Sequence, residues 1–277
     1  MGKHIAFMGG GNMATAIISG LLKRGWLPAQ IDVVEPFEAT RNKLKADLGV
    51  HAQAVCGPFL QQAALVVWAV KPQSFAEAAA QARPHLNGAE EALHLSVAAG
   101  IPSQSIAHWL GSERVVRSMP NTPALIGKGI AGLYARPAVT ADDRQLVQGV
   151  MDCTGQWLWL EQEAQLDAVT AISGSGPAYV FYFLEAMTEA GAQMGLRREQ
   201  AYQLAIATFS GAAELARTST DSAEVLRQKV TSKGGTTYAA MTSMDESRVN
   251  TLFIKALHAA GQRATELGAE FGAAYSG

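Results

Sequence analysis

The run His4-Ile-Ala-Phe-Met8 passes without a break into Gly9-Gly-Gly11, and from Asn12 the pattern becomes that of a helix closing at Gly25. Lys23 and Arg24 stand in its last turn, where the helix dipole favours cations. A strand, a glycine turn and a helix in that order form a compact βα unit only if the turn is tight and the helix lies back on the strand. Gly9 and Gly11 supply the first two small positions of a dinucleotide fingerprint, and Ala14 supplies the third. A tight βα turn that binds nothing would use the same glycines.

The continuation favours binding. Ile31-Asp-Val-Val34 reads as a second short strand and ends in Glu35, at the distance where a Rossmann unit places its ribose-binding acid. An acid there accepts hydrogen bonds from both ribose hydroxyls and repels a 2′-phosphate, which taken alone favours NADH over NADPH. Arg41 would counter it by folding back.

The alternation then repeats. A helix over Ala39–Leu48 leads to Leu65-Val-Val-Trp-Ala-Val70, an unalternating apolar run suited to a parallel strand buried on both faces. Lys71-Pro72 stops it at its carboxyl end, where open α/β sheets place their ligands. A helix over Ser74–Arg83, a strand over Ala92–Val97 and the small residues Ala98-Ala-Gly100 follow. A helix near Ser103–Leu110 leads to a strand over Arg114–Ser118 and the rigid loop Met119-Pro-Asn-Thr-Pro123, in which Asn121 is able to bond a ligand or to form a structural turn. Gly129–Tyr134 reads as a strand, Thr140-Ala-Asp-Asp143 as a capping box opening a helix to Cys153, and Gly155–Leu160 as the last strand.

From Glu161 onward almost every segment has helical periodicity, so the expected organisation is a Rossmann-like α/β domain over residues 1–160 and an all-α domain over residues 161–277. One helix covers Gln165–Ile172, and Ser173-Gly-Ser-Gly-Pro177 interrupts it before a second over Ala178–Met194. Tyr179, Phe181, Tyr182 and Phe183 surround more than one face of that helix, as in a core or a subunit interface. The next helix, Arg198–Arg217, carries a stripe of Ala201, Leu204, Ala205, Thr208, Ala212 and Leu215 and is expected to pack closely against a neighbour. Asp221-Ser-Ala-Glu224 resembles a second capping box, and a final helix spans Ser247–Gly268. So much small and apolar helical surface is expected to pair with a second subunit.

Between those last helices lies Val230-Thr-Ser-Lys-Gly-Gly-Thr-Thr237, two glycines flanked by hydroxyl residues at the head of a helix. Helix N-termini leave N–H groups without partners, and glycines let an anion approach them, so a carboxylate fits there.

Composition excludes several classes of function. With 277 residues, 48% hydrophobic and 17% charged, the chain has enough apolar content for two cores. A net charge of −2 without a Lys/Arg cluster argues against a nucleic-acid surface. Cys56 and Cys153 have neither metal-ligand nor disulfide-framework spacing, so no metal site is expected and a reducing compartment is the simpler reading. The longest apolar run, Ala63 to Val70, is far short of a membrane span, and the N-terminus does not read as a signal peptide, so a soluble, cytoplasmic protein is expected.

GGGNMA, AVKP, MPNTP, SGSGPAYV and VTSKGGTT, in that order, make the chain resemble pyrroline-5-carboxylate reductase from end to end. The resemblance implies reduction of the cyclic imine Δ1-pyrroline-5-carboxylate to L-proline by NADPH or NADH, the closing step of proline synthesis. It also implies an all-α C-terminal dimerisation domain that interlocks with its twofold mate, in some members as five dimers in a decamer. The family's dinucleotide contacts fall here on Met8, Gly9, Gly10, Gly11, Asn12, Met13, Glu35, Ala69, Val70, Lys71, Pro72, Ser96, Val97 and Ala98. The substrate carboxylate falls on Ser232, Gly234, Gly235 and Thr236, and Thr237 matches the threonine whose hydroxyl lies near the ring nitrogen. Glu163 matches a residue at the edge of the site, and Asn121 is a supporting donor. Lys233 stands where many members have proline, and Cys56 where many have asparagine.

Two rivals share the architecture. A β-hydroxyacid dehydrogenase or another imine reductase would want a catalytic lysine on a second-domain helix, whereas Lys229 and Lys255 are isolated on ordinary helices. A non-catalytic nucleotide sensor would have no need of the VTSKGGTT turn.

Overall fold

The structure, a computed structural model, describes residues 4–86 and 92–273. The first three residues of the N-terminal segment and the last four of the expected helical domain lie outside the described residues. The chain divides into two compact units, one of residues 1–175 with 260–277 and the other of residues 176–259. The change from alternating to purely helical sequence near Glu161 therefore precedes the division by contacts.

In the first unit, β1 (His4–Met8), β2 (Ile31–Val34), β3 (Ala52–Gln53), β4 (Ala63–Trp68), β5 (Leu93–Ser96), β6 (Val115–Met119), β7 (Gly129–Ala135) and β8 (Gly155–Trp159) form one sheet in the order β3-β2-β1-β4-β5-β6-β7-β8. The first six are parallel to their neighbours, in the 3-2-1-4-5-6 order of a dinucleotide-binding fold, and the order reverses between β1 and β4. Strand β7 runs antiparallel to β6, and β8 runs parallel to β7. That reversal has a physical reason: only residues 120–128, with the 3-10 turn Thr122–Ile126, separate β6 from β7, too little chain for the crossover that a parallel pair requires.

Alternate residues of β4 feed two cores. Leu65 and Val67 join a cluster with Ile17 and Leu21 of helix α1 (Asn12–Lys23), while Val66 and Trp68 join Phe75, Ala79 and Ile106 on the other face. A strand covered on both faces has no polar side to alternate with, which accounts for its continuous apolar sequence. The strand ends at Trp68, two residues earlier than the run suggests, with Ala69 N–H still donating to Met8 O of β1 at 2.8 Å.

The helices of this unit are α1, α2 (Glu38–Leu48), α3 (Phe75–Ala82), α4 (Ser103–Leu110), α5 (Ala141–Met151) and α6 (Gln165–Val169). Thr140 caps α5 as expected, its hydroxyl accepting from Asp143 N–H while the Asp143 carboxylate accepts from Thr140 N–H. Helix α6 does not stop at Ile172 but widens into a π-turn over Thr170–Gly174.

The second unit holds α7 (Gly176–Gln193), α8 (Arg198–Thr218), α9 (Ala223–Lys229), α10 (Thr236–Glu246) and the first half of α11 (Val249–Ala273). A Cβ on Gly191 would lie 2.6 Å from that of Ala201, so the first two helices approach closely there. Ala201 and Ala205 are buried, but Leu204 and Leu215 of the same stripe are 57% and 56% exposed. Close contact within the unit thus reaches only the N-terminal part of the expected stripe. Tyr179 and Phe183 pack edge-on against Phe253, whereas Phe181 and Tyr182 are exposed. The second capping box is corrected: Ser222 is the cap of α9, and Asp221 forms an ion pair with Lys229. Among the described residues no helix is long and apolar enough to cross a membrane.

Candidate active site

The carboxyl ends of β1, β2, β4 and β5 gather the residues expected to meet a dinucleotide. Gly9, at φ +96°, sits so close to β4 that a Cβ would lie 2.8 Å from Ala69 O, so only glycine allows the turn to cross there. Gly9 N–H donates to Val34 O, Ala69 N–H to Met8 O and Val97 N–H to Trp68 O, which ties the four strand ends together. Gly11 is the residue before α1, contributes no capping side chain, and has no atom within 4 Å of where its Cβ would stand. The amides at the start of α1 therefore open onto free space at a helix N-terminus, an arrangement that fits a pyrophosphate. Ala14 is fully buried against the sheet, as the third fingerprint position requires.

Met8, Gly9 and Gly10 are buried, Gly11 and Asn12 are exposed, and Lys71 is exposed at the strand-end loop with Pro72 opening a short 3-10 turn. Ser96 is buried, its hydroxyl accepting from Ala98 N–H at 3.3 Å. These residues, with Met13, Ala69, Val70 and Val97, lie along one edge of the sheet.

Glu35 is at the expected place and is already engaged by the backbone. It is only 6% exposed, with Oε2 accepting from Gly10 N–H at 2.8 Å and Oε1 from Phe37 N–H at 2.9 Å. The carboxylate reaches back into the glycine turn and holds it, rather than standing free toward the ligand. Arg41 does fold back, its Nη1 donating to the carbonyls of Glu35 and Pro36 at 2.9 and 2.6 Å.

Asn121 is held by its own loop, its Oδ1 accepting from Ile130 N–H at 3.0 Å, which leaves the side-chain amide as the group it can offer a ligand. The MPNTP and SGSGP segments meet, since a Cβ on Gly174 of the π-turn would lie 2.5 Å from Met119 Cε. A π-turn recurs at functional sites because it shifts side chains out of helical register.

Glu163 is engaged as well. Its two oxygens accept from Ser103 N–H and Ser103 O–H at 2.6 Å each, and Arg117 Nη1 donates to it at 2.7 Å. It thereby caps helix α4, which has no capping side chain of its own. Burial pushes the Glu163 carboxyl up, but the Ser103 bonds and the Arg117 charge outweigh it and hold the group below its ordinary value. Ser103, Arg117 and Arg136, whose Nη1 donates to Ser103 Oγ at 3.2 Å, carry this cluster and were not legible in the sequence. The one hint was a charged residue, Arg117, inside the short strand β6.

In the second unit, Gly234 adopts φ +75° and Gly235 N–H donates to Ser232 O at 3.0 Å, closing a turn before α10. Gly235 is the N-cap of α10 and offers no side chain, so the first amides of the helix, at Thr236 and Thr237, point outward uncapped. Ser232, Lys233, Gly234, Thr236 and Thr237 are exposed. Among the described residues the Thr237 hydroxyl has no protein partner.

Comparison with known proteins places these features. Residues 163–267 match the family model for pyrroline-5-carboxylate reductase dimerisation, and residues 4–100 match one described as NADP oxidoreductase, coenzyme F420-dependent. The pyrroline-5-carboxylate reductase of Pseudomonas aeruginosa is 43% identical over 97% of this chain and 98% of its own length. The chain belongs to the pyrroline-5-carboxylate reductase family. A solved pyrroline-5-carboxylate reductase from Coxiella burnetii superposes with a TM-score of 0.89 at 38% identity, covering 96% of this chain and 98% of its own. The pyrroline carboxylate reductase of Plasmodium falciparum, solved with NADP bound, gives 0.85 at 26% identity over 96% and 98% of the two chains. The glycine turns at Gly9–Gly11 and Gly234–Gly235 each lead into a helix N-terminus that lacks a capping side chain.

Proposed function

We propose that this chain reduces Δ1-pyrroline-5-carboxylate to L-proline with NADPH or NADH, closing proline biosynthesis. The observation that carries the reading is the uncapped row of amides at the start of α10, behind a glycine in the left-handed region, in a chain of this family. The outward amides of Thr236 and Thr237 hold the substrate carboxylate where the turn at Gly234 and Gly235 lets it approach, with Ser232 as a further donor. Thr237 shares the proton on the ring nitrogen, and Asn121 offers its side-chain amide.

When bound in the cradle of Met8, Gly9, Gly10, Gly11, Asn12 and Met13, with Ala69, Val70, Lys71, Pro72, Ser96, Val97 and Ala98 along the same edge, NAD(P)H supplies the hydride. An iminium acceptor needs little acid–base machinery, so these residues act chiefly by binding and orienting. Glu35 stands at the ribose end of the cofactor cradle and fixes its glycine turn, and Glu163 stands at the edge of the substrate site and fixes helix α4.

The domains divide this work as residues 1–160 for the dinucleotide and 161–277 for substrate and dimerisation. The protein works in the cytoplasm as a homodimer, away from membranes and nucleic acid. The exposed apolar residues of α7 and α8, Phe181, Tyr182, Leu204 and Leu215 among them, support pairing. Light scattering reads whether five such dimers join into a decamer.

The test is oxidation of NADPH or NADH on adding pyrroline-5-carboxylate, with proline as the product. Oxidation with the imine and none in reverse with a 3-hydroxy acid supports the reading; the opposite pattern overturns it in favour of a hydroxyacid dehydrogenase.

A further inference from the structure

The adenosine end of the cradle is built differently from the usual acid-at-the-second-strand arrangement. In a dinucleotide fold the ribose beside the adenine lies at the carboxyl end of β2, where a free acid selects the 2′-hydroxyl and an arginine accommodates a 2′-phosphate. Here the acid is present but turned inward: both Glu35 oxygens accept backbone N–H groups, from Gly10 and Phe37, and the residue is almost completely buried. Helix α2 reinforces this, because Leu44 and Thr40 close over Gly10 beside the Glu35 stem.

What stands at that edge instead is a cation. Arg41 Nη1 is anchored to the carbonyls of Glu35 and Pro36, the first two residues beyond β2. Its Nε and Nη2 have no partner among the described residues, and no carboxylate there comes within ion-pairing distance. A guanidinium anchored through one nitrogen keeps two N–H edges for a second group, and its planar fork matches a phosphate.

We propose that Arg41 is the specificity residue for the cofactor's 2′-phosphate, and that the inward turn of Glu35 engages with the backbone the carboxylate that would otherwise face that group. The chain accordingly prefers NADPH. This inference rests on the proposed NAD(P)H-linked reduction and names the group within that site that discriminates the two cofactors.

The experiment compares kcat/KM for NADPH and NADH with pyrroline-5-carboxylate in the wild type, Arg41→Ala and Arg41→Lys, alongside inhibition or binding by adenosine 2′,5′-bisphosphate and by AMP. Arg41→Ala is expected to lower kcat/KM for NADPH tenfold to a hundredfold, through KM, and to leave NADH within about threefold, with Arg41→Lys recovering part of the loss. The bisphosphate should bind the wild type at least tenfold more tightly than AMP, and that advantage should vanish in Arg41→Ala. Equal losses for NADPH and NADH would mean a structural role only and would overturn the inference, as would a wild type that binds bisphosphate and AMP alike. Should the wild type leave both cofactors unoxidised with the imine, the proposed reaction fails, while the bisphosphate comparison still decides the role of Arg41.

Discussion

The Glu35 carboxylate accepts a hydrogen bond from the amide of Gly10 at 2.8 Å, so the end of the second strand holds the turn that follows the first. The acid at this position is a brace for the cradle. Replacing it removes a buried acceptor from two N–H groups at once.

Glu35→Gln is therefore expected to destabilise the protein by about 1–3 kcal/mol, because the amide can accept from one N–H but turns a donor toward the other. KM for NADPH and NADH should rise together, with their ratio unchanged. Thermal melting and paired cofactor titrations check this, and a selective loss of NADH binding would return Glu35 to the role of ribose ligand.

Thr237→Ala removes an exposed hydroxyl that has no protein partner among the described residues, so the melting temperature should stay put. Loss of one charge-assisted hydrogen bond to substrate is worth about 1.5–3 kcal/mol, or roughly one to two decades in kcat/KM for the imine. Unchanged steady-state kinetics would remove this threonine from the mechanism.

Glu163→Gln should act at a distance from the chemistry. The variant keeps an acceptor for Ser103 but loses the charge facing Arg117, leaving that mostly buried guanidinium unpaired. Because the folded-state carboxyl lies below its ordinary value, it stabilises the fold above the ordinary carboxylate range, and that contribution is lost as pH falls through the depressed value. Melting curves at neutral and acid pH should show the variant less stable at pH 7, with the gap closing on acidification. A gap independent of pH would show that the ion pair is not its source.

His94 is fully buried, accepts Trp68 Nε1–H at Nδ1 (3.2 Å), and is pushed down to about 3 by burial and then by the Arg114 charge. The unfolded chain takes up that proton near pH 6.5, so between there and the folded value stability falls as pH falls, by at most about 1.4 kcal/mol per unit. His94→Gln keeps an acceptor for Trp68 and removes the titration. Denaturation from pH 7 to pH 4.5 should show a shallower decline in the variant, and parallel declines would assign the acid sensitivity elsewhere.

The parts of this molecule legible in sequence are those in which cause and effect lie close along the chain. The path from His4 to Glu35 could be read because strand, glycine turn and helix each carry a local signal. The same holds for Thr140 and Asp143, three residues apart in one cap. The inward turn of Glu35 was not legible, since its partner Gly10 is 25 residues away and the same acid fits either role. Glu163 and Ser103 are separated by 60 residues, and a cap supplied from that distance has no sequence signature. The antiparallel return of β7 was missed because a rigid proline loop reads equally well as a ligand loop and as a reversal. For the cap of α9, Asp221 and Ser222 both satisfy the local pattern, and the Lys229 ion pair decides between them.

The claim on which the functional reading depends is that the amides at Thr236 and Thr237, behind the Gly234–Gly235 turn, grip a carboxylate. A crystal structure of the protein with NADP+ and L-proline tests it most directly. The account predicts the proline carboxylate on those amides, with the ring nitrogen beside the Thr237 hydroxyl. Proline bound elsewhere while the turn holds only solvent would contradict it.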